Sequence, residues 1–162
     1  MNENEINDRL KNEKNYLGSF AIDEQKDIKV NFFPSFCVLN LDVRSSGGSH
    51  WIALAIYPSQ VFICDSLGGL LPSSKTSKNI ANFLSPILKH RKVIMTRQLQ
   101  QSYSDTCGLY CVTFIQQLSK HNCFCEFLRL FTNENAQNDT IIKFLNKIVF
   151  TLQSPFLSLV AE

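Results

Sequence analysis

His50-Trp51-Ile52-Ala53-Leu54-Ala55-Ile56-Tyr57 is followed, across Pro58-Ser59-Gln60, by Val61-Phe62-Ile63-Cys64-Asp65. The first run is nearly continuous in apolar residues, as expected of a strand buried on both faces. The connection is too short for a helix and suits a tight turn, so the two runs are predicted to pair as a hairpin. Pairing brings the open ends of that hairpin, His50 and Asp65, together on adjacent strands.

Working outward, Ser45-Ser46-Gly47-Gly48-Ser49 reads as a loop, and Phe36-Cys37-Val38-Leu39-Asn40-Leu41 as a further strand. Ser66-Leu67-Gly68-Gly69 closes the hairpin. Ile80, Phe83, Leu84, Ile87 and Leu88 recur at helical spacing within residues 76–90, and Lys92-Val93-Ile94-Met95-Thr96 is the next strand. A polar loop from Gln98 to Thr106 leads to Cys107, and the apolar residues from Cys107 to Leu118 fit a buried helix. Residues 123–131 and 139–150 read as two more helices, the second capped by Asn138 or Asp139. Residues 1–14 alternate in charge around sparse apolar points and read as an exposed short helix or frayed arm; residues 17–35 have no decisive pattern. The expected fold is α+β, a small mixed central β-sheet flanked by helices, with residues 15–162 forming one domain.

Composition fits that expectation and excludes other classes. A chain of 162 residues is the size of one domain. At 44% hydrophobic and 19% charged it is not a disordered chain. Sixteen basic against 14 acidic residues, a net charge of +2, gives no charge signature for nucleic acid. The short basic run Lys89-His90-Arg91-Lys92 reads as a solvated turn before a strand. No run approaches the ~18 apolar residues of a membrane span, and the polar, charged start is not that of a signal peptide. An intracellular setting is therefore expected, with the six cysteines as free thiols.

Four positions carry chemistry. Cys107 opens a helix, where unpaired backbone N–H groups and the helix dipole favour a thiolate. Gly108 after it would let a substrate backbone approach the sulfur. His50, at a strand end after a Gly-Gly-Ser loop, is the best placed of the three histidines to serve as base, a role a cysteine nucleophile needs. Asp65 can hold the imidazole and stabilise its charged form. Gln98, Gln100 and Gln101 lie upstream of Cys107, where a side-chain amide can join the Cys107 N–H in an oxyanion hole.

The order Gly-Gly-Ser-His50-Trp51, Asp65-Ser-Leu-Gly68, then Gln101-Ser-Tyr-Ser-Asp-Thr-Cys107-Gly-Leu-Tyr-Cys111 resembles the adenovirus-type cysteine proteases, which share a clan with the SUMO-specific proteases. Related proteases occur in large DNA viruses, virophages and Maverick/Polinton elements. The resemblance spans about residues 15–150 and takes in Tyr16-Leu17-Gly18, Val38-Leu39-Asn40 and, weakly, Asn138-Asp139. It implies His50 as general base, Asp65 as its orienter, Cys107 as nucleophile and Gln101 as oxyanion donor, with Gln100 the alternative. Gly48, Trp51 and Gly108 would line the substrate cleft. It implies an endopeptidase acting on viral or element-encoded precursor polypeptides, often beside Gly, in the host nucleus, the cytoplasm or the virion interior. No cofactor and no metal are expected, and a monomer is. Adenain is activated by a peptide disulfide-bonded to a cysteine before its Gln loop. Residues 91–100 here contain no cysteine, so that activator is not expected, and the balanced charge supports at most a weak association with DNA.

Two other readings compete. A protease for ubiquitin-like modifiers would share the whole catalytic set. A metal-binding or interaction module would use His121-Asn-Cys123-Phe-Cys125, but Cys-x-Cys is not the usual zinc spacing. The apolar run from Phe150 to Val160 could pack on the domain or dock a partner.

Overall fold

The structure, a computed structural model, describes residues 1–46, 48–69 and 84–152. Its elements are α1 (Glu3–Leu10), β1 (Tyr16–Ala21), a 3-10 segment (Ile22–Asp27), β2 (Ser35–Asn40), β3 (Trp51–Ile56), β4 (Gln60–Cys64), β5 (Lys92–Met95), α2 (Cys107–His121), α3 (Phe124–Arg129) and α4 (Asn135–Leu152). The five strands form one mixed sheet in the order β1-β2-β3-β4-β5. The inner pairs β2–β3 and β3–β4 are antiparallel, and the outer pairs β1–β2 and β4–β5 are parallel. The expected hairpin is β3–β4, with Ile56 opposite Val61 and Ala53 opposite Cys64.

Both faces of β3 are covered, which is why it reads as continuous apolar sequence. Ile52, Leu54 and Ile56 join Cys37, Leu39, Val61 and Ile63 on one face, under Leu84 and Ile87 of the helical residues 84–88. Ala53 and Ala55 join Phe36, Val38 and Cys64 on the other, under Tyr110, Cys111, Phe114, Ile115 and Leu118 of α2. Two alanines at the centre of the strand let the α2 backbone lie close to the sheet, and that approach delivers the start of α2 to the strand end at His50. Each large side chain buried in these layers contributes about 1.5–3 kcal/mol. Ile80 and Phe83, expected in the helix ending near residue 88, lie outside the described residues, as does the apolar run beyond residue 152.

Three local outcomes differ from expectation. Residues 1–14 contain a capped helix rather than an exposed one: Asn2 and Glu5 form a reciprocal capping box, and Ile6 and Leu10 are fully buried. Arg44 pairs with both Glu3 and Glu24, tying α1 to the loop before His50. β1 forms where the pattern was indecisive, because its buried Ser19 is satisfied by Tyr16 and Asn7. Finally, α4 starts at Asn135, so Asn138 and Asp139 lie inside it rather than capping it. Their side chains are buried because they bind a distant loop, described below.

Candidate active site

His50 directly precedes β3 and Asp65 directly follows β4; the hairpin register, continued past Ala53–Cys64, sets Asp65 across from Ile52, which makes His50 and Asp65 diagonal neighbours on one face of the strand ends. His50 Nε2 and Asp65 Oδ1 are 2.8 Å apart, and both side chains are buried. Asp65 is fixed in turn: its backbone N–H donates to Thr96 Oγ1, and the Thr96 hydroxyl donates to the Asp65 carbonyl at 2.9 Å. The carboxylate also accepts the Leu67 N–H at 3.2 Å.

The other ring nitrogen, His50 Nδ1, is buried without a hydrogen-bond partner. The Cys107 thiol stands outside hydrogen-bond geometry but near enough for each group to shift the other. Burial by itself would lower the His50 pKa; Asp65 and the Cys107 thiolate outweigh it and push it up to about 9. Burial would raise the Cys107 pKa, but the His50 ring and the backbone N–H groups of Trp51 and Gly108 outweigh it and hold the thiol below its ordinary value. The opposite shifts favour an imidazolium–thiolate pair. Burial drives the remaining core thiols the other way: Cys37 is pushed up to about 12, and Cys64 and Cys111 also rise well above the ordinary value. All six cysteines are free.

The two candidate glutamines differ. Gln100 is buried, accepts from the Ser66 hydroxyl at 2.7 Å through Oε1, and donates through Nε2 to the Ser104 carbonyl. The Gln101 amide makes no hydrogen bond to a described residue; its backbone N–H donates to Asp139 Oδ2 at 3.1 Å.

Gly48 and Trp51 border a cavity of about 510 Å³, together with Met1, Glu3, Asn40 and Arg44. Gly48 has φ +77°, and a Cβ there would lie 2.2 Å from Asn40 Nδ2. Trp51 Nε1 donates to the Met1 carbonyl at 3.2 Å. Gly108 faces Met1, whose Cβ would stand 2.9 Å from an added Cβ, so the space in front of this glycine is occupied by the chain itself. Cys123 and Cys125 flank the start of α3, and no group of three or more metal-ligating side chains occurs among the described residues. No described helix is long and apolar enough to cross a membrane.

Sequence reasoning gave no role to Ser66, Thr96 or Met1, and it saw Asp139 as a helix cap and, weakly, as part of the family resemblance. The weak match of Asn138-Asp139 to the family pattern was the available signal.

A thiol beside an imidazole that is backed by a buried carboxylate is the set of groups a cysteine peptidase requires. The protease of bovine adenovirus 7 is 34% identical to this chain over an alignment covering 68% of this chain and 67% of that protein. The chain belongs to the adenovirus protease family, whose members are cysteine peptidases. No protein-family model matches it. Among solved structures, ChlaDub1 of Chlamydia trachomatis is 14% identical with a TM-score of 0.47 over 75% of this chain, and the ASFV pS273R protease 19% identical with a TM-score of 0.41 over 67%. The chain spans 60% and 42% of those two proteins.

Proposed function

We propose that this chain is a cysteine endopeptidase that cleaves viral or element-encoded precursor polypeptides, beside Gly residues, through Cys107, His50 and Asp65. The observation that carries the reading is the position of His50, bonded to Asp65 on one side and coupled to Cys107 on the other. The Cys107 thiolate attacks the scissile carbonyl carbon. The resulting oxyanion is held by the Cys107 N–H and the Gln101 amide, and the imidazolium gives its proton to the leaving amine. Neutral His50 then takes a proton from water, which attacks the thioester and releases the second product. Asp65 holds the ring and stabilises its charged form. Gln101 is preferred over Gln100 because the Gln100 amide is engaged at both ends. Gly48 and Trp51 are assigned to the cleft that receives the substrate backbone, and Gly108 joins them once the Met1 side chain in front of it moves aside.

The test is to treat the reduced protein with iodoacetamide and map the modified cysteine by mass spectrometry, with His50→Ala alongside over a pH series. Cys107 is expected to react first near neutral pH, and more slowly in the variant. Uniform labelling of the accessible cysteines at an ordinary thiol pKa would sink the reading. A positional peptide library then tests for Gly at the cleavage site.

A further inference from the structure

Asp139 lies on α4, remote in sequence from the site, and its carboxylate is buried at 5% exposure. Burying a carboxylate is costly unless hydrogen bonds replace its water. Here three donors do so, all from the region around the nucleophile. Oδ2 accepts the Gln101 N–H at 3.1 Å; Oδ1 accepts the Thr106 hydroxyl at 2.7 Å and the Tyr110 hydroxyl at 3.1 Å. Burial and the neighbouring carboxylate push the Tyr110 pKa up, so this hydroxyl remains a donor. The neighbouring Asn138 fixes the approach to the same loop, donating to the Leu99 carbonyl at 3.2 Å.

The Thr106 contact has a second consequence. Thr106 occupies the N-cap of α2, where a threonine hydroxyl ordinarily accepts an N–H of the first turn. This one makes no such bond, because it is turned to Asp139. The Cys107 N–H has no acceptor among the described residues. The carboxylate thus anchors both ends of the loop from Gln101 to Thr106 and draws the cap away from the helix end, leaving donors there for a developing anion.

We propose that Asp139 is a positioning residue for the oxyanion hole: by clamping Gln101 and Thr106 it sets where the Gln101 amide and the Cys107 N–H stand. This rests on the cysteine peptidase reading above and extends it to a residue outside the triad.

Two reagents separate positioning from simple structural support. Iodoacetamide alkylates the thiolate by displacing iodide from carbon and needs no oxyanion hole. p-Nitrophenyl acetate acylates it through a tetrahedral oxyanion: a carbon–sulfur bond forms, the ester carbon–oxygen bond breaks, and p-nitrophenolate leaves. Both rates are measured on the full chain, with Cys107→Ala subtracting the contribution of other thiols. Asp139→Asn, which preserves shape but removes one acceptor, is expected to slow acylation by up to about a hundredfold, the scale of a misplacement of about 1 Å, while alkylation changes less than twofold. In a Gln101→Ala background the same substitution should cost much less, because the two act through one group. Should Asp139→Asn fail to fold by circular dichroism, Thr106→Val carries the same comparison. Equal losses in acylation and alkylation, or no loss in either, overturn the proposal. If wild-type acylation does not depend on Cys107, the peptidase reading itself fails. If Gln101→Ala is silent while Asp139→Asn slows acylation alone, the Gln101 assignment falls and Asp139 acts through the Cys107 N–H.

Discussion

The Ser66 hydroxyl donates to Gln100 Oε1 at 2.7 Å, joining the turn that carries the acid to the loop that precedes the nucleophile. The Ser66 carbonyl reinforces the joint by accepting the N–H groups of Leu99, at 2.8 Å, and Gln100, at 2.9 Å. The Gln100 amide is thereby built into the scaffold, and Gln101 is the neighbour proposed for the chemistry.

Substitution should separate those tasks. Gln100→Ala leaves the buried Ser66 hydroxyl without its acceptor, so it is expected to cost about 1–3 kcal/mol of stability, seen as a lower melting temperature. Gln101→Ala should leave melting unchanged and reduce kcat about 10²–10³-fold, the usual cost of one oxyanion donor. The reverse pattern would exchange their roles.

The pH dependence follows from the paired shifts. His50 has its pKa raised from an ordinary 6.5 to about 9, and that of Cys107 is lowered from an ordinary 9.0. Activity should rise as pH climbs through the lowered Cys107 pKa and fall as it passes about 9, where His50 loses its proton. For stability, the raised His50 contributes fully below pH 6.5 and loses its contribution as pH rises through about 9. Cys107, lowered, contributes above its ordinary 9.0 and loses that contribution as pH falls through its folded value. Between the folded Cys107 value and about 9, folding adds a proton at His50 and releases one at Cys107, so these two groups should leave the melting temperature nearly flat over the range in which activity is at its plateau. Initial rates and melting curves over the same buffers check both statements.

The part of the site set by local pattern was legible in the sequence. A hairpin with a short turn must bring its ends together, so His50 and Asp65 could be paired from residue spacing alone. The two-faced burial of β3 likewise showed in its unbroken apolar run. Features that depend on distant partners did not show. Asn138 and Asp139 look like caps in sequence because that is where exposed Asn and Asp usually sit; their true partners, Leu99, Gln101 and Thr106, are more than thirty positions away. In β1, Ser19 breaks the apolar pattern and is satisfied by Asn7, a residue of α1. Helix α1 has only Ile6 and Leu10 to bury, too few to predict docking, and it is held also by the Arg44–Glu3 pair across the sequence.

Gly48 is a glycine whose replacement should be costly. At φ +77° an alanine is strained by about 1–3 kcal/mol. Its Cβ would also collide with the Asn40 amide at 2.2 Å, and the displaced loop leads directly into His50. Gly48→Ala is expected to lower both the melting temperature and kcat. Adding Asn40→Ala should relieve the collision but not the backbone strain, restoring part of the loss. Gly69→Ala, where an added methyl meets nothing within 4 Å, is the control and should be nearly neutral.

Trp51 is the chain's single tryptophan, so its fluorescence reports on the contact with Met1. Gly108→Ala places a methyl 2.9 Å from Met1 Cβ and 3.1 Å from its sulfur. Methionine is flexible and can move, so the fold should survive, and alanine is favoured over glycine inside a helix by about 1 kcal/mol. The shift must disturb the Met1 carbonyl that Trp51 Nε1 bonds, exposing the indole and moving its emission to longer wavelength. Met1→Gly, made behind an upstream tag that supplies the start codon, should shift emission in the same direction by removing the side chain that packs there. If these residues line the cleft, both variants change KM more than kcat, because they alter the walls rather than the Cys107–His50 pair. Unchanged fluorescence in both would mean that Met1 does not rest on Trp51 in solution, and a loss confined to kcat would assign Gly108 to the chemistry instead of the cleft.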